Sequence, residues 1–196
     1  MNHSSRMLSF SYLVNVQKDN PALFVEQFDQ SIKHISDSNE ISSLHYLYAE
    51  SLYSLSRYEE SIIESLESIK TAVVSKDYEI LVRHYLLLAK NYYHTGEIAK
   101  VKTCFEIAID FGRQSHKCEL LGLVFLDYGS YLTSRKAYDL AIEYLDTAWH
   151  TIHVSQNKQL KIDVLLAKGD VYYSKQSYIE AVNLNKIGRA SCRERV

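Results

Sequence analysis

Four small residues, Ala49, Ala89, Gly129 and Gly169, stand 40 residues apart, and this period restricts the fold more tightly than any other feature of the chain. A second column at the same spacing is Tyr58, Ile98, Tyr138 and Tyr178, and a third is Ser61, Val101, Ala141 and Ala181. Around these columns the segments read alike, as LLLAKNYYHTGEIAKVKTCFEIAI from Leu86 and VFLDYGSYLTSRKAYDLAIEYLDTAW from Val124, with a partial copy from Val164. A fixed period in this range means one supersecondary unit copied along the chain, each copy burying its apolar face against the next.

Inside each period the apolar residues keep helical spacing. Ala141, Leu145, Ala148, Trp149 and Ile152 fall on one face of an amphipathic helix, as do Val101, Phe105, Ala108 and Ile109. A tight turn at Thr95-Gly96 separates the two helices of a period, where glycine accepts a left-handed conformation. Polar links divide the periods at Ser75-Lys76-Asp77, Ser115-His116-Lys117 and Ser155-Gln156-Asn157. The unit is a helical hairpin. One proline and six glycines among 196 residues leave too few turn-makers for a β-sandwich or barrel. A composition 46% hydrophobic and 23% charged, with net charge −2, excludes a disordered tail and a strongly basic nucleic-acid binder. The longest apolar run, Leu120 to Leu126, is far short of the ~20 residues that span a bilayer. No signal peptide is evident at Met7 to Val14, and three cysteines make no disulfide framework, so a cytoplasmic location is expected.

These columns resemble the tetratricopeptide repeat (TPR). Its pattern of a small residue and an aromatic in helix A, then Gly, a small residue, an aromatic and Ala, is matched by Leu88-Ala89, Tyr92, Gly96, Val101, Phe105 and Ala108. A further copy reads Tyr128-Gly129, Leu132, Ala141, Leu145 and Ala148, and a weaker one Ala49, Leu52, Ser61, Ser65 and Ser68. Small side chains let helix backbones approach, and larger ones fill the holes beside them. The family's usual period is 34, so six further residues add roughly 9 Å of helix. Repeats near 40 are familiar in bacterial signalling proteins of this kind. HEAT repeats have a nearer period of ~40–47 but do not account for the small-plus-aromatic columns. The resemblance implies an all-α superhelical solenoid of antiparallel helical hairpins.

Residues 1–38 fit the frame as a degenerate N-terminal capping repeat. Ser9 and Tyr12 take the small and aromatic positions, and Asn20-Pro21 reads as an N-cap followed by proline at the first helical position. Residues 39–185 form three full repeats and one truncated repeat. From Ile187 to Val196 the apolar period stops, three arginines appear, and the string resembles a translated sequencing adapter; 186–196 is read as a non-native tail. Setting aside the three arginines and one glutamate of Ile187 to Val196 takes the net charge from −2 to −4. The expectation is a fragment whose gene continues past Asn185.

No phosphate-binding glycine loop, H-E-x-x-H, G-x-S-x-G or Cys-x-x-Cys is present, so no catalytic residue and no cofactor is assigned. His150 and His153 can share a helix face but have no third ligand of fitting spacing, and are read as solvent-facing. Cys104 and Cys118 are read as buried or half-buried thiols, and Cys192 belongs to the tail. Tyr92 and Tyr172, three residues after the small position, are assigned to packing. One residue further on, Tyr53, Tyr93 and Tyr173 are turned by about 100° around the helix. In the TPR family that face of helix A lines a concave groove, and here it also carries Tyr46, Glu50, Leu86, Lys90, Leu126, Ser130, Leu166 and Asp170. The alternative for these tyrosines is packing on the helix of the next repeat. With Lys90 the one cation beside Glu50 and Asp170, the face is unsuited to the carboxylate grip of chaperone-tail binders. The resemblance implies a protein- or peptide-recognition module without catalysis, or the sensor region of a truncated bacterial signalling protein with a diguanylate cyclase, histidine kinase or DNA-binding output. Its partner is then a protein or peptide, and neither nucleic acid nor membrane.

Overall fold

In a computed structural model the chain is described over residues 10–32 and 38–184, and those residues form helices joined by short turns. The helices are α1 (Phe10–Asp19), α2 (Pro21–Ile32), α3 (Ser38–Ser54), α4 (Tyr58–Ser75), α5 (Tyr78–Thr95), α6 (Ile98–Gln114), α7 (Cys118–Ser134), α8 (Tyr138–Ile152) and α9 (Lys158–Ser174), with 178–184 again helical. Ser9, the side chain of Tyr12, Asn185 and the 186–196 tail with Cys192 lie outside the described residues. Among the described residues no helix is long and apolar enough to cross a membrane.

The period of 40 is written into the backbone. Ser56, Gly96, Lys136 and Gln176 all take left-handed φ, between 60° and 83°, at the turn between the two helices of a hairpin. At each turn the following amide donates back to the helix just ended, Arg57 to the Leu52 carbonyl, Glu97 to Tyr92, Ala137 to Leu132 and Ser177 to Tyr172, at 2.8–2.9 Å. This six-to-one bond satisfies a carbonyl that the helix end leaves without a partner. Asp77 and Asn157 cap α5 and α9 by accepting from the amides of Ile80 and Leu160, and Asn20 does the same for α2 through Leu23.

The chain divides into two compact units, 1–108 and 109–196, with the division falling inside α6. In the first unit α1 packs on α2, α2 on α3, α3 on α4 and α4 on α5, while α1 also touches α3 and α3 touches α5. First helices of successive hairpins are therefore neighbours. Leu13, Phe24, Phe28 and Leu44 make one buried cluster that joins the N-terminal pair to α3, and Phe28 stacks on Tyr48 at 4.1 Å. Further along, the core turns polar. Ser51, Ser61, Ser65, Ser68, His84 and Asn91 are all buried. Ser61 donates to the Ala49 carbonyl at 2.7 Å and receives Asn91 Nδ2 at 2.9 Å, whereas among the described residues neither ring nitrogen of His84 has a hydrogen-bond partner.

In the second unit α7 packs on α8 and α9, and α8 on α9. Its columns are apolar: Val124, Ala141, Leu145, Ala148 and Ile152 are at 0% exposure. Gly129 and Gly122 of α7 admit these side chains because they lack a Cβ; one built on Gly129 would lie 2.7 Å from Leu145 Cγ. Lys168–Asp146 and Lys175–Asp139 ion pairs tie α9 to α8.

Candidate functional site

The first helices of the hairpins in the first unit enclose a cleft of about 650 Å³. From α1 it receives Val14, Gln17 and Lys18, and from α3 Ser43, Tyr46, Leu47 and Glu50. The start of α5 closes it with Asp77, Glu79, Ile80 and Arg83. The spacing of Ser43, Tyr46, Leu47 and Glu50 at i, i+3, i+4 and i+7 is one helix face, and the backbone brings it opposite the N-terminal turn of α5.

Arg83 donates through Nη2 to Glu79 Oε1 at 2.9 Å, and its guanidinium carbon lies 5.7 Å from the centre of the Tyr46 ring. Tyr46 also meets the edge of the buried His84 at 5.6 Å. The half-buried Glu50 carboxylate accepts from the Tyr46 hydroxyl at 3.1 Å and from Gln17 Nε2 at 3.4 Å. Gln17 is itself only 8% exposed. Burial, with a smaller contribution from His45, drives the His84 pKa down to about 4.

Of the residues that the sequence places on this face, Tyr46 and Glu50 line the cleft itself. Tyr53 lies at the other end of α3 in an aromatic cluster, where its hydroxyl is 3.1 Å from His94 Nε2. His94 stacks on Tyr58 at 4.7 Å and meets Tyr93 edge-on. Tyr93, 38% exposed, and Lys90 present surface on α5, whereas Leu86 is buried at 4% and offers none. In the second unit Leu126 is likewise buried at 8%. Ser130 is exposed and turns its hydroxyl back to the Leu126 carbonyl at 2.9 Å. Leu166, Asp170 and Tyr173 are exposed, and Tyr173 meets the edge of the Tyr178 ring at 5.6 Å. The leucine column is thus interior in α5 and α7 and surface in α9.

The sequence did not single out Gln17, Lys18 and Arg83. The first two precede the repeats that the columns define. Arg83 directly follows the apolar run Ile80-Leu81-Val82 of α5, and only the folded chain sets it over Tyr46. His150 and His153 are both exposed, with His153 Nδ1 turned to the His150 carbonyl. Among the described residues no group of three or more His, Cys, Asp or Glu could hold a metal ion.

The paired helices and their recurring turns define a helical-repeat fold of the TPR-like class. No family model and no curated protein matches the chain. Solved structures do. A Rap protein complexed with Competence and Sporulation Factor superposes with a TM-score of 0.80 at 16% identity, over 94% of this chain. The chain spans only 54% of that protein's length. A Podosopora anserina kinesin light chain with nearly identical TPR-like repeats gives 0.69 at 14% identity, over 99% of this chain and 98% of that one. Its Q17M variant gives 0.70 over 97% and 96%. At these identities the likeness establishes the fold: this is an all-α, TPR-like repeat protein.

Proposed function

We propose that the chain is a protein- or peptide-recognition module without catalysis of its own, and that its ligand lies along the first-helix faces of its hairpins. The observation that carries this reading is the cleft among α1, α3 and α5, large enough for several side chains and lined by Tyr46, Glu50 and Arg83. Tyrosine supplies broad contact area at modest entropic cost, and the aromatic cluster of Tyr53, Tyr93 and His94 extends the same helices' surface. A Rap protein of the same fold is known with a bound factor, which supports use of the fold for recognition. The test is titration of an immobilised peptide library with the parent, Tyr46→Ala, Tyr93→Ala and Lys90→Glu. Recognition on this face predicts at least tenfold weaker binding in Tyr46→Ala with melting temperature little changed; equal binding by all four refutes it.

A second reading is that the array is the sensor region of a longer bacterial signalling protein. The chain spans 54% of the Rap protein's length, so a neighbour of this fold extends beyond the region matched here. Reading the source gene onward past the codon for Asn185 tests it: an open frame into a diguanylate cyclase, histidine kinase or DNA-binding domain supports it, and a stop codon within one further helix excludes it.

A further inference from the structure

We infer that Glu50 is the selectivity determinant of the cleft, and that the residue it selects is a lysine or arginine side chain of an extended peptide. The inference rests on the recognition reading above and names its ligand chemistry. Three observations converge on it. First, Glu50 is held by neutral donors only, the Tyr46 hydroxyl on Oε1 and the Gln17 amide on Oε2. A carboxylate has about four acceptor sites, so two remain for a ligand. Second, among the described residues no cation lies within ion-pair distance of Glu50. Arg83, in the cleft wall, is engaged by Glu79 and lies over the Tyr46 ring. Lys18 lines the cleft, and no ion pair joins it to Glu50 among the described residues.

Third, the support for Glu50 is built rather than incidental. Gln17, 8% exposed, comes from α1, while Tyr46 and Glu50 lie one turn apart on α3. Both carboxylate oxygens are therefore oriented before any ligand arrives, from two helices that pack on each other. A half-buried, oriented carboxylate without a counter-ion favours an incoming cation, because charge-assisted hydrogen bonds exceed neutral ones. The two open acceptor sites match the paired donors of a guanidinium and equally take an ammonium. The charged lining is Glu50, Asp77 and Glu79 against Lys18 and Arg83, with Glu79 paired to Arg83, so an acidic ligand side chain beside Glu50 itself is disfavoured.

The test uses the purified 196-residue chain and an end-capped positional-scanning hexapeptide library, so that only side chains supply charge. The expected result is one position that selects Lys and Arg, with that preference lost in Glu50→Gln. For the selected peptide, Glu50→Gln should weaken binding by roughly ten- to a hundredfold, the range of a charge-assisted bond. Replacing the peptide arginine by citrulline should cost the same factor in the parent and nothing further in Glu50→Gln. The citrulline arm leaves the protein untouched, so an undiminished affinity of the parent for the citrulline peptide overturns the inference even if Glu50→Gln unfolds. Selection of acidic or apolar residues at every position overturns the inference but leaves the recognition reading standing, as does a Lys/Arg preference that survives Glu50→Gln. A library in which no peptide binds overturns both.

Discussion

Three helical glycines in the second unit offer a graded test of how tightly its helices pack. Each sits inside a helix, where alanine is favoured over glycine by about 1 kcal/mol, so every Gly→Ala change starts with the same gain. What differs is the atom that the new Cβ meets. At Gly112 it would lie 3.1 Å from Leu121 Cδ1, the mobile end of a half-buried side chain. At Gly129 it would lie 2.7 and 2.8 Å from Leu145 Cγ and Cδ2, in a side chain with 0% exposure. At Gly122 it would lie 2.2 Å from Ile152 Cγ2, also at 0% exposure and stiff because β-branched. Carbon atoms rest about 3.5–4.0 Å apart, and overpacking a filled core costs about 1–3 kcal/mol. Gly112→Ala should therefore be neutral or stabilising by up to about 1 kcal/mol. Gly129→Ala should lose about 1–2 kcal/mol, and Gly122→Ala about 2 kcal/mol or more. Urea unfolding followed by helical circular dichroism measures this, with constant slope as the check that only stability has changed. For a chain of this size 1 kcal/mol moves the melting temperature by about 2–4 °C. If Gly129→Ala or the bulkier Gly129→Leu unfolds at or above the parent midpoint, the register of α7 on α8 is wrong.

The left-handed turns give a second prediction: Gly96→Ala should cost about 1 kcal/mol although no atom lies within 4 Å of its Cβ, while Lys136→Gly should gain about 0.5–1 kcal/mol, read as urea midpoints. His84, with a pKa near 4 when folded against an ordinary 6.5, makes protonation favour the unfolded chain. Stability should be whole above about pH 6.5, decline as pH falls below it and have lost about 3 kcal/mol by pH 4; His84→Leu should remove that decline. Burial pushes the Cys104 thiol up to about 12, so iodoacetamide mapping by mass should find Cys104 labelled far more slowly than the half-buried Cys118 unless denaturant is present.

The fold was legible because its determinants repeat. Ala49, Ala89 and Gly129 need only be small, and Val101, Ala141 and Ala181 need only be apolar or small, for hairpins to stack in one register. The turns were less legible. Gly96 announces a left-handed residue, but Ser56, Lys136 and Gln176 adopt the same conformation without any side-chain signal. There the six-to-one bond and the packing on both sides hold the backbone against its local preference. The repeat that matched the TPR pattern least well, Ser61, Ser65 and Ser68, is also where the core is polar, and Asn91 and Ser61 have replaced apolar contact by hydrogen bonds. Its mismatch was therefore a physical property of the packing.

The candidate site was legible only in part, and the reason is geometric. Helical spacing identifies which residues share a face, and it put Tyr46 and Glu50 together. It does not say how far that face is covered. Leu86 and Leu126 occupy the same column as Tyr46 and Leu166, yet they are buried at 4% and 8%, whereas Leu166 is 39% exposed. Nor does spacing reveal which charges answer one another. Glu79 and Arg83 lie four apart on α5 and cancel, a pairing open to sequence; that Gln17, 33 residues before Glu50, supplies a neutral donor to it is a consequence of α1 packing on α3. An acid with a counter-ion is a structural element, whereas an acid held only by neutral donors in a cleft is poised for a ligand. That distinction separates Glu50 from Glu79, and it exists only once the chain is folded.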